Sequence, residues 1–323
     1  MGQLVSAEEI RDAAARLAGV AVHTPLVCFP RLSPSLLIKP ESLQPVGSFK
    51  VRGAYAAISA LPPGVRRRGV VTHSSGNHGQ AVAYAAARLG VPAVVVAPET
   101  APRIKTDAIR GYGAELVTVA PTLAAREAAT ADLAARHGYT PIPPFDDRRV
   151  IAGQGTIGLE IMADRPDTDL IVVPVSGGGL IAGIAAAARA VSEEVTIVGV
   201  EPEWAADARD SLRKGERVGW PAESVRRTIA DALRVERVGA LPFAHIQRYV
   251  ADIVTVTDDE MLTAVRRLAR DAHLVAEPGG AAAVAACLFR PDELPAARNP
   301  VAVLSGGNVD PALLARAVAE NQG

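Results

Sequence analysis

Four short segments use residue types that packing does not require. The first, Gly47-Ser48-Phe49-Lys50-Val51-Arg52-Gly53, opens a helix just after Pro45 and sets a lysine between two apolar residues. An apolar neighbourhood lowers an amine's pKa and makes it nucleophilic. Taken alone, the segment favours a plainer reading, a snorkelling lysine on an ordinary helix. The second, Thr72-His73-Ser74-Ser75-Gly76-Asn77-His78-Gly79-Gln80, lies between a strand and a helix, where open parallel sheets bind ligands. Its hydroxyls, its amide and the N–H groups of the new helix suit a carboxylate. An ordinary N-cap with polar loop residues accounts less well for so many polar groups together. The third, Ser176-Gly177-Gly178-Gly179-Leu180, again joins an apolar strand to a helix, and glycine amides at a helix N-terminus suit a phosphate. Gly177, Gly179 and Ala182 also fit G-x-G-x-x-A, with Glu201 where a ribose-binding acid would sit, so a nicotinamide dehydrogenase stays open. The fourth, Val303-Leu304-Ser305-Gly306-Gly307-Asn308-Val309-Asp310, runs a strand into a glycine turn; Ser305 could meet a ring nitrogen, or the segment could be a plain turn.

Composition narrows what these segments serve. The 34 basic residues nearly balance 35 acidic ones, which argues against nucleic acid as a partner. Only four of the basic residues are lysines: Lys39, Lys50, Lys105 and Lys214. A role that only a primary amine can fill therefore has four candidates. Cys28 and Cys287 are far apart and form no ligand spacing, which reads as two reduced, buried thiols in a cytoplasmic protein. Acids by the eighth residue exclude a secretory signal. Leu170 to Ala188 carries no charge, but Pro174 and the glycine run divide it into strand, turn and helix rather than a membrane span.

The elements that must hold the segments follow from periodicity. Ser6 with Glu9 forms a capping box that opens a helix ending near Gly19. Strands at 69–72, 93–97 and 115–119 alternate with helices at 79–89, 104–110 and 123–136, which indicates parallel βαβ units. Pro141-Ile142-Pro143-Pro144 is a stiff extended return between domains. The pattern restarts with strands at 170–175 and 195–200 around a helix at 180–190. Helices at 261–272 and 280–288 follow, then a strand at 301–304. Residues 203–249 read as loops and short helices around a site. A chain of 323 residues is a soft prior for two domains, at about 150 residues each.

In this order the four segments resemble the fold-type II pyridoxal-phosphate enzymes, and within them the serine/threonine dehydratase and serine racemase group. Pro144-Phe145-Asp146-Asp147, Ile151 through Gly158 and Glu277-Pro278-Gly279-Gly280 fit the same family. The resemblance implies an α/β fold of two open twisted sheets with flanking helices, like the tryptophan synthase β-subunit, with the cofactor in the cleft between domains. Residues 1–62 and 148–323 would form the large cofactor-binding domain and 63–147 the small substrate-carboxylate domain. A C-terminal regulatory domain is not expected. Lys50 would hold pyridoxal 5′-phosphate as a Schiff base with Phe49 packed on the ring, and Asn77 would bond the ring's 3′-oxygen. Gly177, Gly178, Gly179 and Leu180 would bind the phosphate, Ser305 the pyridine nitrogen, and Glu277 would line the pocket. Ser74, Ser75, Gly76, Asn77 and His78 would cradle the substrate carboxylate.

A serine at the pyridine nitrogen makes the ring a weaker electron sink, which suits elimination with Lys50 as base. The implied activity is dehydration and deamination of L-threonine, L-serine or a related β-hydroxy amino acid to a 2-oxo acid and ammonia. Ser75 stands where racemase-like members carry an acid/base serine, so amino-acid racemisation is the second reading. Glu201, the Ala205 carbonyl and Asp207 resemble that branch's divalent-cation site, with oxygen ligands suited to Mg²⁺ or Ca²⁺; a surface loop with ordinary acids is equally compatible. Ala232 stands where the family generally has glycine. A homodimer is the family expectation.

Overall fold

Short apolar runs bounded by glycine, proline and polar residues form the strands. They are β1 (Val27–Cys28), β2 (Leu37–Pro40), β3 (Val70–His73), β4 (Ala93–Pro98), β5 (Glu115–Val119), β6 (Thr140–Pro141), β7 (Leu170–Pro174), β8 (Thr196–Pro202), β9 (Asp252–Val256) and β10 (Pro300–Leu304). The computed structural model describes residues 3–319 other than Ser75 and Pro102. The strands make two sheets, one of six in the order β1-β2-β10-β7-β8-β9 and one of four in the order β5-β4-β3-β6. Apart from the antiparallel β1–β2 pair, every pairing is parallel. Parallel neighbours need crossovers, and the helices that supply them cover both faces of each sheet.

Side chains alternate across the six-stranded sheet. Val172, Val198, Val254 and Ala302 face a core completed by the helices Asp258–Asp271 and Pro278–Phe289. Ile171, Val173, Ile197, Ile253 and Val303 face a second core against the helices Arg148–Asp164, Gly179–Val191 and Ala240–Tyr249. Two of these helices touch backbone to backbone: a Cβ on Gly183 would lie 2.4 Å from the Ile151 carbonyl and 2.5 Å from the Gly155 amide. Glycine at 155 and 183 therefore sets how closely the Gly179–Val191 helix, with its glycine-rich start, seats on the Arg148–Asp164 helix.

Several elements differ from the sequence reading. Strands β1, β2, β6 and β9 were not expected, and Pro141 is the end of edge strand β6 rather than part of a free return. An edge position tolerates proline, which cannot donate to a ladder. Cys28 is exposed, against expectation, because its two-residue strand is the sheet's outer edge. Cys287 is half-buried, with burial pushing its thiol up to about 12. Among the described residues no helix is long and apolar enough to cross a membrane.

Candidate active site

Lys50 is the first residue of the helix Lys50–Ser59. The turn before it is stitched to the end of β10: Ser48 bridges Gly306, and the Phe49 amide donates to the Ser305 carbonyl at 3.1 Å. Two segments remote in sequence, the lysine turn and the Ser305 turn, thus share one wall. Lys50 Nζ donates to the Pro144 carbonyl at 2.8 Å and lies 5.0 Å from the Phe49 ring centre. Burial drops its pKa to about 8, against the opposing pull of Glu277.

Asn77 begins the helix Asn77–Leu89 after β3 and reaches the same wall. Its Nδ2 donates to Glu277 Oε1 at 2.6 Å, and its Oδ1 accepts from Asn308 Nδ2 at 2.8 Å. Asn308 also donates to the Val46 carbonyl, which fixes Asn77's amide orientation. Glu277 sits at the N-cap of Pro278–Phe289; burial and the nearby Asp231 push its carboxyl up to about 7, with Asn77, Lys105 and Lys50 opposing. Lys105, on the helix Arg103–Gly111, pairs with Asp231 in the short 3₁₀ turn Asp231–Leu233, joining the four-stranded side of the molecule to the large-sheet side.

The glycine run forms the start of the helix Gly179–Val191. Gly178 is its N-cap at φ +85°, and no side chain caps the first turn. The left-handed backbone is one glycine adopts at no steric cost, and the free first-turn amides suit an anion. A Cβ at Gly177 would strike the Phe145 ring, so Phe145, which the sequence reading gave no role of its own, covers this turn. Asp146 and Asp147 cap two helices, accepting from the Ala240 and Leu241 amides and from the Arg149 and Val150 amides.

Ser74 Oγ accepts from the Gly76 amide at 3.3 Å. Ser75 lies outside the described residues. His78 is buried and its Nε2 donates to the Ile142 carbonyl at 2.9 Å. Burial and the Lys50 charge push His78 down to about 3, so the ring is neutral. Ser48 Oγ is buried without a partner. An amine held near neutrality, an uncapped glycine turn and an orphaned hydroxyl beside the lysine fit an aldehyde cofactor carrying a phosphate.

A second acidic site begins at the end of β8. Glu201 is fully buried and accepts from the Ala208 and Arg209 amides at 3.2 and 2.8 Å; Asp207 accepts from the Val238 amide at 2.7 Å. Burial raises both carboxyls, Asp207 to about 7, and Asp207 adds to the upward push on Glu201. Glu201 is thus turned toward these amides, away from a ribose-binding role. Among the described residues no three His, Cys, Asp or Glu side chains gather to hold a metal. A cation here would need the Ala205 carbonyl and water beside the two carboxylates, and that oxygen-only set fits a hard divalent ion.

Beneath the site lies a cluster that the sequence gave no sign of. Arg52 is buried and bonds Glu41 at 2.8 Å and Glu160 at 2.6 Å, and Lys39 Nζ contacts Glu160 and the Thr24 carbonyl, each at 2.6 Å. These residues come from β2, the turn after it and two helices, so no local spacing links them.

Residues 17–306 match the family model described as pyridoxal-phosphate dependent enzyme. The chain is 39% identical over 322 residues to L-threonine ammonia-lyase of Thermotoga maritima, covering 98% of this chain and 78% of that protein. It is 40% identical over 306 residues to L-threo-3-hydroxyaspartate ammonia-lyase of Saccharomyces cerevisiae, covering 94% and 93%. Among solved structures, maize serine racemase superposes with a TM-score of 0.93 at 34% identity, covering 97% of each chain.

Proposed function

The chain belongs to the pyridoxal-phosphate-dependent enzyme family, and from that premise we propose that it eliminates water from a β-hydroxy α-amino acid such as L-threonine, L-serine or 3-hydroxyaspartate, the released imine then taking up water to give a 2-oxo acid and ammonia. The observation that carries this reading is Lys50: a buried amine with a pKa of about 8, poised between proton donor and acceptor at working pH. When bound, the cofactor would act as the electron sink that makes the Cα proton acidic.

The protein's own residues supply the rest. Lys50 would join the cofactor and, once substrate takes its place, accept the Cα proton at Nζ. Gly177, Gly178, Gly179 and Leu180 would hold the phosphate, Asn77 the ring oxygen and Ser305 the ring nitrogen, with Phe49 and Glu277 lining the pocket. Ser74 through His78 would bind the substrate carboxylate, His78 through its backbone amide, since its ring is committed to the Ile142 carbonyl. Ser305, a hydroxyl rather than a carboxylate, would lend the ring nitrogen no negative charge, which suits loss of a β-substituent. Glu201, Ala205 and Asp207 would hold Mg²⁺ or Ca²⁺ outside the reacting centre. Residues 1–62 and 148–323 would form one domain and 63–147 the other, in a cytoplasmic homodimer.

Racemisation is the second reading, favoured by Ser75 and by the likeness to a serine racemase. A panel of β-hydroxy amino acids assayed for 2-oxo acid and for enantiomer, with and without chelator, separates the two. The lyase reading expects 2-oxo acid as the main product, and Ser75→Ala should remove racemisation while sparing elimination. Enantiomer without 2-oxo acid would reverse the order of the two readings, and neither product would remove both.

A further inference from the structure

Pro144, whose carbonyl receives the Lys50 amine, is itself held by an arrangement remote from the lysine helix. Two residues earlier, the Ile142 carbonyl accepts from Thr72 Oγ1 at 2.8 Å and from His78 Nε2 at 2.9 Å. Both donors are buried, Thr72 near the end of β3 and His78 in the first turn of the following helix. The Ile142 amide also donates to the Val71 carbonyl at 2.9 Å, so both polar groups of this peptide are fixed. Between Ile142 and Pro144, the Lys50 acceptor, stands only Pro143. Each proline has a locked φ and restricts the residue before it, so Ile142 is held extended by Pro143, and Pro143 is constrained both by its own ring and by Pro144. On its far side Pro144 is followed by Phe145, packed against Gly177 and Gly179, and by Asp146, which accepts from the Ala240 and Leu241 amides, so the Pro144 peptide is anchored from both ends and its carbonyl direction has little slack.

We propose that Thr72 and His78 are positioning residues for Lys50, acting through the Ile142–Pro143–Pro144 strap whose last carbonyl orients the lysine's nitrogen. The inference rests on the lyase reading of Lys50 as the base. A lysine stem has four rotatable carbons, and a neutral amine offers one lone pair. Giving one N–H to Pro144 narrows where that lone pair can point, which is what proton abstraction at a fixed carbon requires. The histidine tautomer follows from the same contact. A carbonyl can only accept, so Nε2 carries the hydrogen and Nδ1 is left as a lone pair, buried and unpartnered. The neutral ring serves as a fixed donor and takes no proton in turnover.

The test uses Thr72→Val, His78→Phe, the double variant and His78→Gln, which keeps a side-chain N–H. With the cofactor-loaded enzyme, kcat, KM and the isotope effect from α-deuterated L-threonine are measured. With cofactor-free protein, the rate of recombination with pyridoxal phosphate is followed at about pH 9, where the Lys50 amine is largely neutral. The double variant should lose about tenfold or more in kcat with KM little changed, since displacing a catalytic group by an ångström costs up to about a hundredfold. Its isotope effect should rise and its recombination should slow several-fold. Thr72→Val should show a smaller change in the same direction, and His78→Gln should recover most of the loss. A lower melting temperature with unchanged isotope effect and recombination rate would make both residues merely structural and overturn the proposal. If the double variant fails to fold, Thr72→Val decides alone by the same measures. Absence of 2-oxo acid from the parent enzyme would sink the lyase reading instead, and the recombination rates would still judge the strap.

Discussion

Lys39 and Lys50 are both buried lysines, yet their surroundings give them opposite fates. Lys39 touches the Glu160 carboxylate and a carbonyl, inside a cluster where two cations, Lys39 and Arg52, meet two carboxylates, Glu41 and Glu160. Burial pushes the Glu41 carboxyl up, but Arg52 and Lys39 carry it below its ordinary value; Arg52 in turn is held charged by Glu41 and Glu160. Lys50 has a neutral carbonyl at 2.8 Å and, in Glu277, an acid whose own pKa stands near 7. Glu160 gives Lys39 a carboxylate partner, whereas Lys50 faces a neutral carbonyl, and burial lowers its pKa far enough for the amine to act as a nucleophile.

That contrast can be broken at either end. The largest effect is expected from Lys50→Met, which should abolish cofactor absorbance and reduce turnover by at least about a thousandfold. The same change should leave the stability of the cofactor-free protein unchanged or raised, because it removes a poorly paired buried amine; a large loss of stability in denaturant would show that Lys50 is as firmly compensated as Lys39. Arg52→Met is the mirror experiment. It strands Glu41 without its main partner and should cost about 3–5 kcal/mol in urea unfolding, as breaking a buried ion pair generally does. A loss under about 1 kcal/mol would mean water or Lys39 takes over the role.

The smallest effect sharpens the comparison through pH. Lys50 is depressed to about 8, so its reactive form is lost as pH falls through that value. Recombination of cofactor-free protein with pyridoxal phosphate should rise about tenfold per pH unit below this point and level off above it. A rise continuing to pH 10 would show an amine no more desolvated than one on the surface.

The chemistry-bearing segments were legible because their residue types are locally odd: a lysine among apolar residues, nine polar-rich residues at a strand end, three consecutive glycines. The strands β3, β4, β5, β7, β8 and β10 were legible as apolar runs between breakers. Strands β1, β2, β6 and β9 were not. β1 and β6 are two-residue edges, and β2 contains Lys39, whose charge breaks the apolar pattern. Residues 151–158 stood out by resemblance, but the reason for the glycine at 155 is a contact with Gly183 on another helix. The Lys39–Glu41–Arg52–Glu160 cluster left no signal, since Arg52 and Glu160 are far apart in the chain and neither has its partner within helical spacing.

By itself, then, the sequence determined that a primary amine stands in Lys50's position in a chain that otherwise favours arginine, that glycines open the helix at 179, and that strands and helices alternate in the order a parallel sheet needs. Those are properties of residue type and short-range spacing. Only the tertiary structure decided that Lys39 meets Glu160 while Lys50 meets the Pro144 carbonyl, and that Thr72 and His78 converge on Ile142. The electrostatic state of a buried group depends on which remote groups share its low-dielectric surroundings, and chain packing alone sets that.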